Sequence, residues 1–195
     1  MATNPQALPR RYYSLDEYFA LEHAGDARYE YWNGDILCMS GGTRRHGRIS
    51  GNTFFRLSQQ LEGGPCQVFT ADTAVLTPAV PPYRYPDASV GRGELEFRNF
   101  QGVDALVNPV LIVEVLSPTT ETRDREAKFG AYQAITTFRE YLFIAQDRPH
   151  VTHYIRTADN VWERRDVADP DASLNLESCK CVLKMADIYA GVTFP

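Results

Sequence analysis

Ile49, Thr53, Leu57 and Leu61 recur at every fourth position ahead of Gly63-Gly64-Pro65, the spacing of one helical face closed by a breaker, and predict a helix from Thr43 to Leu61. A shorter helix is predicted before it. Ser14 with Glu17 three residues on forms the reciprocal capping box, and Tyr18, Phe19 and Leu21 follow up to Gly25. Asp124 to Ile135 reads as a third helix with Phe129, Tyr132 and Ile135 on one side, and Met185 to Tyr189 as a last helical turn.

Strand patterns fill most of the remainder. Asn33-Gly34 lies between Tyr29–Trp32 and Asp35–Met39, and supplies the two positive φ values of a type I′ hairpin turn. Gln67–Thr70, Thr73–Leu76 and Asp87–Val90 read as strands, while Pro78 to Pro86 is too proline-rich for a ladder and must be loop or edge. Val110 to Leu116 is a continuous apolar run, the mark of a central strand buried on both faces. Glu140–Ala145 is another strand, and strand, helix, strand implies a right-handed parallel crossover. His150–Arg156, Val161–Val167 and Leu174–Leu183 then read as a C-terminal meander. The expectation is an α/β (α+β) fold with a mixed sheet, flanking helices and one domain over residues 1–195.

Composition narrows the function classes. With 44% hydrophobic and 23% charged residues in 195, the chain carries too much apolar material for disorder. No apolar run approaches the roughly 20 residues that span a bilayer. The first residues lack the apolar middle of a secretory signal, so a soluble, cytoplasmic protein is expected. A net charge of -5 argues against non-specific coating of nucleic acid. Arg44, Arg45 and Arg48 are nevertheless concentrated on a helix with few acids; they either track a phosphate backbone or form a solvated face. Cys38, Cys66, Cys179 and Cys181 include no C-x-x-C and no zinc-finger spacing, which leaves reduced thiols, with Cys179 and Cys181 on one strand face.

The chemically informative residue is Glu114, a carboxylate in the middle of the most apolar strand. A buried carboxylate needs a compensating cation or metal, or it becomes neutral. Asp87, directly after Pro86, opens a strand that can converge on the same sheet end, and two convergent carboxylates are the usual cage for Mg²⁺. His46 shares the inward stripe of its helix with Ile49 and Thr53; it is either a hydrogen-bonded core residue or a phosphate ligand and proton carrier.

Pro86-Asp87 followed by Glu114 resembles the PD-(D/E)XK nuclease core. The longer string Glu114-Val115-Leu116-Ser117-Pro118, then Asp124, Lys128, Tyr132 and Glu140-Tyr141, resembles the Uma-type putative restriction endonuclease family. The likeness runs over residues 15–147. It implies a restriction-endonuclease-like mixed β-sheet with the site at one sheet edge, hydrolysing DNA phosphodiester bonds with Mg²⁺ or Mn²⁺. Asp87 and Glu114 would hold the metal, which polarises phosphate and activates water. The motif's lysine, two residues after the glutamate, is here Leu116; Lys128 is the replacement, as in similar sequences, and its long stem gives the reach. It would orient the attacking water and offset phosphate charge. Glu30 resembles the glutamate that such nucleases place on an early element as an extra metal or water ligand; otherwise it is an exposed strand carboxylate. Asp124 either joins the motif or complements its helix dipole, and Trp32, Tyr83 and Tyr85 either stack on bases or pack. The resemblance also implies a homodimer, for which the edge Val151–Tyr154 is available. Leu116 and the acidic charge keep a rival open, an inactive nuclease-fold module for binding or assembly. RNA and branched DNA remain alternative substrates.

Overall fold

The computed structural model describes residues 12–25, 28–32, 34–38, 42–78, 83–116 and 128–194. They belong to two compact units, 1–41 and 42–195. In the first, α1 (Leu15–Ala24) starts at the capping box, with Ser14 N donating to Glu17 Oε2 at 2.8 Å, and ends at Gly25 with φ 80°. The strands β1 (Tyr29–Trp32) and β2 (Asp35–Cys38) form the hairpin, with Trp32 opposite Asp35. Gly34 has φ 93°, the positive value the turn requires; Asn33 and Met39 lie outside the described residues. Tyr18 Oη donates to the Tyr29 carbonyl at 3.0 Å and ties helix to hairpin.

The second unit runs α2 (Arg44–Leu61), β3 (Cys66–Thr70), β4 (Ala74–Leu76), β5 (Tyr83–Arg84), β6 (Ala88–Arg92), β7 (Phe97–Phe100), β8 (Val103–Leu106), β9 (Pro109–Leu116), α3 (Phe129–Gln133), β10 (Glu140–Ala145), β11 (Val151–Arg156), β12 (Trp162–Val167), β13 (Ser173–Leu176), β14 (Cys181–Lys184) and α4 (Met185–Ile188). The main sheet has the order β12-β11-β10-β9-β6-β3. Within it β9 and β10 are parallel, joined by the segment that contains α3, and the other neighbours are antiparallel.

Strand β9 is buried on both faces because each face has its own cover. Leu111, Val113 and Val115 join a core with Ile49 and Leu57 of α2, Leu183 and Ile188, whereas Ile112 and Leu116 join an aromatic core of Tyr132, Phe138, Tyr141 and Phe143. The four predicted α2 positions, Ile49, Thr53, Leu57 and Leu61, are its buried residues. Among the described residues no helix is long and apolar enough to cross a membrane.

Several expectations change. Leu174–Leu183 is not one strand but the hairpin β13–β14, closed by Leu176 opposite Cys181. The apolar pattern runs through the turn because Cys179 is itself buried in the core, with Lys180 at φ 55° bending the chain. Cys179 therefore does not share a strand with Cys181, although their sulfurs lie 3.3 Å apart. Val151–Tyr154 is not an edge, since β11 lies between β10 and β12. The edge strand β12 exposes Glu163, Arg164, Arg165 and Asp166, charges that discourage strand pairing across it. The third helix is short, and residues 124–127 of its predicted span lie outside the described residues. The hairpin β7–β8 was not anticipated; its turn is set locally by Gln101 at φ 48° and by Asn99 Oδ1 accepting from Gly102 N at 3.1 Å.

Candidate functional site

Antiparallel pairing of β6 with β9 places Ala88 opposite Val113, so Asp87, one step earlier, comes level with Glu114. The backbone fixes this alignment directly, because Val115 N donates to Asp87 Oδ2 at 2.6 Å. The other oxygen, Asp87 Oδ1, lies 3.2 Å from His46 Nε2. His46 is held in the first turn of α2, where its N–H donates to the hydroxyl of the cap residue Thr43 at 3.1 Å. Thr43 in turn donates to Gln146 Oε1, directly after β10. The start of β6, the end of β9, the residue after β10 and the N-terminus of α2 thus meet at one end of the main sheet.

Glu114 is 4% exposed and Lys128 3% exposed. Lys128 Nζ lies 3.2 Å from Glu114 Oε1 and 3.3 Å from Oε2, so the ammonium straddles the carboxylate and supplies the cationic compensation that burial demands. Leu116 cannot take the lysine's place. Two residues on from Glu114 it lies on the same strand face, where it is packed in the aromatic core beside Tyr132 and Phe143. The cation comes instead from the residue preceding α3.

The remaining predicted residues are distributed differently. Glu30 belongs to β1 of the N-terminal unit and is buried, not an exposed strand carboxylate; its assignment as a metal or water ligand rests on the resemblance alone. Arg44 is exposed. Arg45 Nε donates to the Thr193 carbonyl at 2.9 Å, and a Cβ built on Gly191 would lie 3.4 Å from Arg48 Nη2. Both side chains therefore lie against the C-terminal segment. Tyr83 and Tyr85 are buried and meet edge-on, with ring centroids 5.8 Å apart; base stacking by them is excluded because their faces are consumed in packing. Ser117, Pro118 and Asp124 lie outside the described residues, as does the side chain of Trp32.

Two features were missed. Gln146 gives no periodic signal; the only hint is a polar residue directly after an apolar strand. Glu140, at the far end of β10 opposite Leu111, is another buried glutamate of the main sheet. Its Oε2 accepts from Ser178 N at 2.9 Å and from the Ser178 hydroxyl, and its Oε1 lies 3.0 Å from His153 Nε2. Burial pushes its carboxyl up, but the bonds from His153 and Ser178 outweigh that and hold it below the usual range. This network fastens the β13–β14 turn to the sheet.

Asp87 and Glu114 suit a hard divalent cation, since two carboxylates completed by water and substrate oxygens are a usual Mg²⁺ donor set. Among the described residues no group of three or more His, Cys, Asp or Glu side chains is placed to hold a metal. Two proteins from Synechocystis sp. (strain ATCC 27184 / PCC 6803 / Kazusa) are similar: the uncharacterized protein slr1290, 29% identical over 93% of both chains, and the uncharacterized protein sll1609, 29% identical over 84% of this chain and 92% of the other. A crystal structure of a putative nuclease belonging to DUF820 from Anabaena variabilis ATCC 29413 superposes with a TM-score of 0.72 at 19% identity, covering 92% of this chain and 98% of that one; the two share a fold. Residues 15–184 match the Uma2 family, described as putative restriction endonuclease, and the chain belongs to that family.

Proposed function

We propose that the protein is a cytoplasmic, metal-dependent endonuclease that hydrolyses DNA phosphodiester bonds. The observation that carries this reading is the levelling of Asp87 with a buried, lysine-paired Glu114 at one sheet end. The family description and the fold shared with the Anabaena protein support it. Asp87 and Glu114 would hold Mg²⁺ or Mn²⁺, which supplies the charge that polarises a phosphate and lowers the pKa of water. Asp87 is oriented for this by Val115 N and His46, and so presents its carboxylate without reorganisation. Lys128 neutralises Glu114 and places a positive charge beside the position of the phosphate, where negative charge grows during attack. Cutting both strands of a duplex calls for two such sites, and a homodimer is the form we assign.

Supercoiled plasmid incubated with Mg²⁺ or Mn²⁺ tests the reading. Nicking is expected, with its loss in Asp87→Asn and Glu114→Gln and a reduction of about 10²-fold or more in Lys128→Met, the scale of removing one transition-state donor. Circular dichroism checks that each variant is folded, and light scattering reads the dimer. Cleavage retained in either carboxylate variant overturns the assignment. The self-compensated Glu114–Lys128 pair favours a second reading, a nuclease-fold binding module, which predicts DNA or protein binding without turnover in any metal.

A further inference from the structure

Gln146 is 4% exposed, and its side chain is anchored on one side only. Thr43 Oγ1 accepts from His46 N and sends its own proton to Gln146 Oε1, which fixes the amide oxygen toward Thr43 and leaves the amide nitrogen as the spare donor. The reverse orientation would set the NH₂ group against the hydroxyl and remove the acceptor for its proton. Gln146 Nε2 is buried and has no hydrogen-bond partner among the described residues. A buried donor left unmatched is costly and rare in native proteins.

Nitrogen and oxygen of the amide share one carbon, so this donor lies at the same helix end as Thr43. The first turn of α2 carries positive charge. The 18-residue α2 has no acid in its first turn and carries Arg44 and Arg45 there, although the positive end of a helix dipole favours acidic residues. Asp87 meets this end at the His46 ring.

We propose that Gln146 is a phosphate-binding residue whose Nε2 donates to a non-bridging oxygen of a nucleic-acid phosphate seated at the N-terminus of α2. The inference rests on the nuclease reading and adds the group that positions the backbone beside Asp87 and Glu114. A neutral donor suits that place, because the carboxylates and their metal already set the charge while the amide fixes where the oxygen sits.

The test follows the side-chain amide of Gln146 in ¹H–¹⁵N spectra of the full chain, assigned by its absence in Gln146→Met. Ca²⁺ replaces Mg²⁺ to hold a short DNA duplex uncleaved. We expect the amide pair to shift on DNA addition, and fluorescence anisotropy to give a Kd raised about tenfold in Gln146→Met, the scale of one bond to a charged oxygen. Gln146→Glu, with the same shape and a repelling charge, is expected to weaken binding further. Thermal melting of the Met variant checks that it folds. An amide unmoved at saturating DNA, or a Met variant that binds as wild type, overturns the inference and leaves the nuclease reading standing. Inorganic phosphate shifting the amide while DNA does not overturns the nucleic-acid assignment. Failure of the wild type to bind DNA with any divalent cation overturns the nuclease reading and this inference with it.

Discussion

Lys128→Met is the perturbation whose cost the structure sets most directly. It keeps the length of the side chain and removes the ammonium, leaving Glu114 charged on a strand face shared with Ile112 and Leu116. Both partners are almost fully buried, at 3% for Lys128 and 5% for Glu114 by side chain, so solvent screening is small and the loss is that of a broken interior pair, about 3–5 kcal/mol. For a chain of this length that corresponds to a drop in Tm of about 6–20 °C. Replacing both residues, Glu114→Gln with Lys128→Met, removes the stranded charge and is expected to recover most of the loss, since interior pairs exchanged for neutral groups are often close to neutral. Urea denaturation of the wild type, both single variants and the double variant closes the cycle. A divalent cation held by Glu114 adds a further signature. In Lys128→Met, Mg²⁺ at about 100 times its Kd is expected to restore about 2.7 kcal/mol, whereas Glu114→Gln is expected to respond weakly. A Lys128→Met loss below about 1 kcal/mol, the range of exposed pairs, would refute the premise that this carboxylate is buried and compensated. Full-sized loss without rescue by metal would remove Glu114 from the proposed metal shell.

Other measurements probe the surroundings. Glu140→Gln is expected to lower stability at neutral pH, because the carboxylate held below the usual range stabilises the fold above its unfolded pKa and loses that contribution as pH falls through the folded value; the urea midpoint of the wild type should decline below about pH 4.3, the ordinary glutamate value, and that of the variant should decline less. A wild-type curve no steeper than the variant's would contradict the network. Cys38 is exposed, whereas Cys66, Cys179 and Cys181 are buried, and burial pushes the Cys66 thiol up. Ellman's reagent should therefore titrate one thiol quickly in the folded protein and the other three on unfolding, and rapid reaction of all four would argue against the packed β13–β14 turn. Thr43→Val removes the helix cap and the anchor of Gln146 together, and should cost about 1 kcal/mol in urea melts, the usual value of a cap.

What could be read in the sequence was whatever is encoded locally or by period. The α1 capping box, the α2 stripe and the doubly buried β9 each depend on residues within one turn or one strand, and each is present as expected. Failures occurred where tertiary contact decides. The stretch from Leu174 to Leu183 looks continuous because Cys179, a turn residue, is as apolar and buried as its strand neighbours. Val151–Tyr154 looked like an edge because nothing in its own pattern reveals that the charged β12 pairs beyond it. The placing of Arg45 and Arg48 on α2 is no such failure, and the fold adds only that they lie beside Thr193 and Gly191. Asp87 and Glu114 were legible as an oddity and its neighbour, but the register that levels them depends on pairing across the sheet.

Glu114 and Glu140 show why burial of a carboxylate does not by itself identify chemistry. They lie on adjacent parallel strands, both almost fully enclosed. Glu140 accepts from the backbone and hydroxyl of Ser178, from Glu177 N at 3.3 Å, and meets His153; donors fixed in the main chain cannot be exchanged for a ligand without undoing the turn they belong to. Glu114 is instead paired with a long, flexible side chain, Lys128, and the compensation that its ammonium gives is one that another cation could supply. This side-chain pairing, a second carboxylate in register and the buried, unmatched amide nitrogen of Gln146 distinguish the sheet end where we place the proposed site from the end where Glu140 fastens the turn.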